Sequence, residues 1–159
     1  MIIERNIKIL PCNLIKGKLE NYVLDSFMDS VKGKCFEDIG YVLNTNKLVR
    51  VIDNVITDVD SDILFRVELD IDNLKPEKDD VYLSEIIMIC ENGILVEVEK
   101  CQKVLLPTKI MKKYKFDYNT NSFINNEDNS KLNVGDKIQI KIEGVRYHIN
   151  SFSCFGSII

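Results

Sequence analysis

The sequence predicts an α+β domain followed by an all-β domain. Three observations predict it. One amphipathic helical stretch is read near the N-terminus. Runs of alternating apolar and polar residues recur from there to the end of the chain. A polar segment with a proline, Lys75-Pro76-Glu77-Lys78-Asp79-Asp80, separates the two patterns. We place the domain edge there, as 1–76 and 77–159.

Ile7-Lys8-Ile9-Leu10 reads as a short strand ending at Pro11. Leu19, Tyr22, Val23, Phe27 and Val31 recur at helical spacing, which predicts a helix from Lys16 to Val31 with Gly33 as its stop. Gly40 to Leu43 and Leu48 to Ile52 read as strand, in one piece or two. Asp53 to Asp62 holds four aspartates and no glycine, and reads as an exposed loop. Phe65, Val67, Leu69 and Ile71 alternate with polar residues, so this stretch is a half-buried strand.

Beyond the divide come Val81 to Cys90, a turn at Glu91-Asn92-Gly93, then Ile94 to Val98 and Val104 to Leu106. Pro107 to Met111 fits a helical turn. Asn119 to Asn133, rich in Asn, Ser and Asp, reads as a flexible loop. Lys137 to Gly144 alternates strictly: Ile138, Ile140 and Ile142 face one way, and Gly144 ends the strand. A last strand reaches Ile158. Five short strands with a long insert before the fourth fit an OB barrel.

Composition narrows function. The 159 residues are 45% hydrophobic, enough for a core. No apolar run approaches the roughly 18 residues of a membrane span, and the N-terminus predicts no signal peptide. The five cysteines are widely spaced without a CxxC, and His148 is the only histidine, so no zinc site is expected. Reduced thiols inside a cell are the expectation. Residues 1–79 carry 11 Lys+Arg against 15 Asp+Glu, a net of −4, and residues 80–159 carry 10 against 10. The first half is therefore unsuited to nucleic acid. There is no GxGxxG, Walker loop, GxSxG or HExxH, so no enzyme and no cofactor are expected. Asp58 to Asp62 lacks the glycine and the closing glutamate of a calcium loop.

Charge does gather in one place. Lys100, Lys103, Lys109, Lys112, Lys113 and Lys115 share residues 100–118 with a single acid, Asp117, and with Tyr114, Phe116 and Tyr118. Cations for phosphates beside aromatics for bases is how OB domains hold single strands. A solvated lysine face over core aromatics is the alternative. Lys141, Arg146 and Tyr147 extend the candidate patch.

Four segments, in order, resemble one family. They are Val31-Lys32-Gly33-Lys34-Cys35 with Ile39-Gly40-Tyr41-Val42-Leu43, then Leu74-Lys75-Pro76 with Asp80-Val81. Asn92-Gly93-Ile94-Leu95-Val96-Glu97-Val98 follows, and last comes Ile138 to Gly144 with Ser151 to Ile158. Together they are similar to the stalk subunit of multisubunit DNA-dependent RNA polymerases, which is the seventh subunit of RNA polymerase II and its archaeal counterpart. The resemblance implies a truncated ribonucleoprotein-like tip domain and an OB domain of the kind found in ribosomal protein S-one. It implies a non-catalytic subunit of a DNA-directed RNA polymerase that supports transcription initiation. Its partners would be the polymerase core subunits, a fourth-subunit homologue (eukaryotic or archaeal in type) in a heterodimer, and nascent single-stranded RNA.

By position, the docking residues implied are Pro11, Asn13, Lys16, Gly17, Asp53, Asp58 and Asp60. The RNA-binding residues are Lys103, Lys109, Lys112, Lys113, Tyr114, Lys115, Lys141 and Arg146. The chain departs from the family at the acidic tip loop, at Ile94 in place of an aromatic, and at Asp79 in place of a glycine. It also stops at Ile159, where the family usually continues. Its many Ile, Asn and Lys residues fit an AT-rich genome, viral or protist. The expected place is intracellular: the nucleus for a cellular eukaryote, the virion or host cytoplasm for a virus. The alternative function is a free-standing OB-fold RNA-binding protein in translation or RNA turnover.

Overall fold

The computed structural model describes residues 1–14, 18–56 and 62–159. Among the described residues the chain is mostly β with one short α-helix, and it divides into two compact units, Met1–Lys75 and Pro76–Ile159. Among the described residues no helix is long and apolar enough to cross a membrane.

The first unit is a four-stranded antiparallel sheet in the order β1-β4-β3-β2, with strands Ile2–Ile9 (β1), Cys35–Phe36 (β2), Gly40–Ile56 (β3) and Ile63–Leu74 (β4). A single helix, Leu19–Val31 (α1), lies on it. Of the predicted apolar stripe, Val23, Phe27 and Val31 are buried, while Tyr22 is exposed. They pack with Ile3, Ile7, Phe65, Val67, Leu69 and Ile71, the inward residues of β1 and β4. The α+β reading of this half thus reduces to one 13-residue helix accompanying a sheet.

Two expectations change here. β3 is one strand of 17 residues, and its register slips at four places. Each slip is a bulge that interrupts the period of two, which is why the stretch reads as pieces. Asp53 is therefore not in a loop: it pairs in register with Arg66 of β4. Gly40 opens β3 with φ 74°, and a Cβ there would collide with the Leu74 carbonyl oxygen, so no side chain fits.

The second unit is a closed barrel in the order β11-β12-β7-β6-β5. Its strands are Val81–Cys90 (β5), Gly93–Val98 (β6), Gln102–Pro107 (β7), Lys137–Tyr147 (β11) and Phe152–Ile158 (β12). β7 runs parallel to β12 and every other neighbour is antiparallel. This is the strand order of a five-stranded OB barrel. Ile86, Ile94, Val96, Val104, Leu106, Ile140 and Ile142 are fully buried within it. Gln102, also buried, donates from Nε2 to the carbonyls of Lys103 (2.7 Å) and Phe152 (2.8 Å), tying β7 to β12.

Gly144 does not end its strand. β11 continues to Tyr147 through a bulge between Ile142 and Gly144. The Phe155 ring of β12 lies over Gly144, where any side chain would strike it. Nor is Asn119 to Asn133 a loop. Ser122–Asn125 (β9) and Lys131–Leu132 (β10) lie within it and pair with a third short strand, Tyr114–Asp117 (β8). Phe123 is fully buried, which anchors this insert. Its asparagines and aspartates build turns: Asp117, Asn125 and Asp128 each accept a backbone N–H two residues on.

Candidate nucleic-acid interface

The lysine-rich segment begins where β7 ends. Thr108 fastens it to the β5–β6 turn, its N–H donating to the Asn92 carbonyl (3.1 Å) and its hydroxyl to the Glu91 carbonyl (2.7 Å). Ile110 and Met111 then donate to the carbonyls of Pro107 and Thr108 in successive tight turns. Met111 is buried at 4% exposure, so Lys109, Lys112 and Lys113 on either side of it point outward.

The structure distributes the predicted residues among several places. Lys109 and Lys115 line one groove of about 420 Å³ with Asn92, Thr108, Phe116 and Tyr118. Phe116 sits edge-on between Tyr118 and Phe123, with ring centroids 5.0 and 5.2 Å away. Tyr118 is 69% exposed. Its hydroxyl donates to the Glu91 carboxylate, which raises the phenol pKa. This groove therefore presents two cations, one outward phenol ring held by the Glu91 carboxylate, and the β5–β6 turn together.

Lys112, Lys113 and half-buried Tyr114 line a separate groove of about 310 Å³ with Glu127 and Ile159. Lys100 faces a third, among Glu85, Glu97 and Glu99. Lys103 and Arg146 stand exposed on the barrel wall. Lys141 is engaged already: its ammonium lies 3.2 Å from the Asp79 carboxylate, which raises its pKa. Among the described residues, no ion pair involves Lys103, Lys109, Lys112, Lys113, Lys115 or Arg146.

Sequence reasoning missed Asn92 and Thr108, which enter the groove only because the barrel brings the β5–β6 turn against the end of β7. It also left Tyr118 as a neighbour of the cluster, although Tyr118 carries the outward ring.

The residues expected to dock fare differently. Pro11 and Asn13 fall in a single 3₁₀ turn, Pro11–Leu14. Asp53 is held in β3 and its carboxylate lies 3.3 Å from Arg66. Lys16, Gly17, Asp58 and Asp60 lie outside the described residues. No cluster of His, Cys, Asp and Glu suited to a metal occurs among the described residues.

The junction after the first unit is tightly built. Asp79 N–H donates to the Ile142 carbonyl and Ile142 N–H to the Asp80 carbonyl, each at 2.8 Å. The Asp80 carboxylate accepts from the Glu77 N–H and the Tyr82 hydroxyl, both at 2.9 Å. Burial, and then this bond, push the Tyr82 pKa well up. Asp79 itself has φ 73°.

No family model matches the sequence, and no curated protein does. Three solved structures are similar to part of the chain. The apo form of Mycoplasma genitalium RNase R is 12% identical with a TM-score of 0.41, covering 50% of this chain and 13% of that one. The uncharacterized protein MJ1198 from Methanocaldococcus jannaschii is 20% identical with a TM-score of 0.39, covering 54% and 96%. GSP13 from Bacillus subtilis is 21% identical with a TM-score of 0.40, covering 53% and 56%. The chain thus spans only a small part of RNase R and about half of GSP13. Likenesses this distant are no guide to activity. The barrel is defined by its own strand order, and the resemblance to polymerase stalk subunits gains no support from these comparisons.

Proposed function

We propose that this chain is a non-catalytic binder of single-stranded RNA, acting through its OB barrel. The observation that carries this is the groove holding Lys109, Lys115, Phe116 and Tyr118 against the β5–β6 turn. OB barrels hold oligonucleotides on the face of their second and third strands and at the loops joining strands one to two and four to five. Here β6 and β7 are those strands, and the β5–β6 turn is the first of those loops. Two cations without ion-pair partners among the described residues supply phosphate contacts, and an outward phenol ring supplies a stacking surface. Translation or RNA turnover is the setting of such a free-standing protein, inside the cell.

Fluorescence anisotropy with an oligouridylate across a salt series tests it. Lys109→Gln combined with Lys115→Gln should weaken binding and reduce the salt slope by about 0.7 per lost phosphate contact. Absence of binding by the unaltered protein, or an unchanged slope, would overturn the reading.

A second reading is the polymerase stalk subunit, docked on core subunits, paired with a fourth-subunit homologue and touching nascent transcript. Asp79 favours it. Its left-handed backbone stands where the stalk family carries glycine, and a glycine there would have a physical reason. Affinity purification from native extract separates the two. Large polymerase subunits would support the stalk, whereas ribosomes or nucleases alone would remove it.

A further inference from the structure

The outer wall of the barrel presents an aromatic that the groove does not use. Along β12, Phe152, Cys154 and Gly156 are buried and Ser153, Phe155 and Ser157 turn outward. Phe155 lies beside Leu105 of β7, Leu105 faces Leu95 of β6, and Leu95 faces Met88 of β5. On its other side Phe155 covers Gly144 of β11. Phe155 and Leu105 are each 44% exposed and Met88 52%, so an apolar row crosses the wall. Covering Gly144 uses one side of the Phe155 ring, and its exposure leaves ring surface open to solvent.

Two cations flank Ser153, two residues before this ring on the same face of β12. Ser153 faces Arg146 across β11–β12. Lys103 lies two residues before Leu105, on the strand parallel to β12. Two inter-strand steps place the Cα atoms of Lys103 and Arg146 about 10 Å apart, on either side of Ser153. Both are exposed, and neither has an ion-pair partner among the described residues. The nearby acids are half-buried Glu97, opposite Lys103, and Glu143, which accepts the Ser157 hydroxyl at 2.8 Å.

We propose that Phe155 is a base-stacking residue of a second single-strand contact, with Lys103 and Arg146 holding the phosphates beside it. The inference rests on the RNA-binding reading and extends it from the groove to the wall. A bare ring two residues along β12 from a pair of cations suits an unpaired base with a neighbouring phosphate, because stacking tolerates any base and the cations need only the backbone.

The test compares an oligouridylate with an abasic strand of equal length and charge, by anisotropy on the full chain. Phe155→Leu should weaken the base-bearing strand about tenfold, the size of one lost stack, and leave the abasic strand unchanged. Phe155→Tyr should retain wild-type affinity. Ser153→Glu, which sets a carboxylate between the cations without removing the ring, should weaken both strands several-fold. Thermal melts establish that each variant is folded, and Ser153→Glu serves if Phe155→Leu is not. If the wild-type protein binds neither strand, this inference and the RNA-binding reading fall together. If the groove substitutions weaken binding while Phe155→Leu and Ser153→Glu do not, this inference alone is wrong, and the wall is only a cover for Gly144 or a protein-docking face.

Discussion

Cations face different surroundings in the two units. In the first, Arg5, Lys8, Arg50 and Arg66 of the sheet strands face carboxylates, whereas among the described residues Lys18, Lys32, Lys34, Lys47 and Lys75 make no ion pair. Arg50 makes a two-pronged pair with Glu68 at 2.9 Å, which raises the Arg50 pKa and lowers that of Glu68. Arg66 bridges Glu4 (3.5 Å) and Asp53 (3.3 Å), Arg5 meets Asp38 (3.0 Å), and Lys8 meets Asp62 (3.5 Å). In the second unit, the lysines from 103 to 115 face solvent without such partners among the described residues, and Lys141 with Asp79 is the exception. Strand pairing explains the contrast. In an antiparallel sheet, opposite charges can land across from one another, as Arg50 does with Glu68 and Arg66 with Asp53. On the turns that carry Lys109, Lys112 and Lys113, no partner strand delivers a carboxylate. Unneutralised cations release more counterions on meeting phosphate than paired ones do.

The largest effect that would break this contrast concerns the scaffold of the lysines. Phe123→Ala should cost about 3–5 kcal/mol in urea unfolding, because a fully buried ring is lost. A cost near zero would mean the insert is a loop after all and positions no lysine. Next, Gly40→Ala should destabilise the chain by about 1–3 kcal/mol through its left-handed backbone and the Leu74 carbonyl. It should leave oligouridylate affinity alone, since Gly40 belongs to the unit that does not carry the groove.

A direct comparison comes third. Arg50→Gln with Arg66→Gln should not alter the salt slope of binding, whereas the Lys109 and Lys115 pair should lower it by about 0.7 per contact. Equal effects from both pairs would erase the distinction. The smallest effect is one of pH. Thr120 and the Asn119 N–H hold the Asp117 carboxylate below its ordinary 3.8. A depressed carboxylate stabilises above its unfolded pKa and loses that contribution as pH falls through the folded value. The Asn119 amide should therefore be protected at neutral pH and lose protection only below pH 3.8, which hydrogen exchange would reveal. Loss of protection at higher pH would mean that the turn does not depend on Asp117.

Legibility in the sequence followed the regularity of burial. Phe65, Val67, Leu69 and Ile71 were readable because one sheet face is buried and the period is two. β3 was not, because four bulges reset its phase. The insert was misread for a different reason. Its strands have four, four and two residues, too short for a period, and its Asn and Asp residues signal disorder and tight turns alike. The candidate site shows the same split. The lysines and aromatics of residues 100–118 stood out by composition, but their division among separate grooves did not.

What the sequence determined by itself is local. It set the alternation of Ile138, Ile140 and Ile142, the apolar face of α1, and the concentration of cations after β7. These depend on residues a few positions apart. The tertiary structure alone decided which cations remain open. Asp79 takes up Lys141 from 62 positions away, and Thr108 reaches back to Glu91. It also decided that Gly144 is a bulge under Phe155 rather than an end. Such outcomes depend on which strands become neighbours, and closing a barrel brings together residues that no local pattern relates.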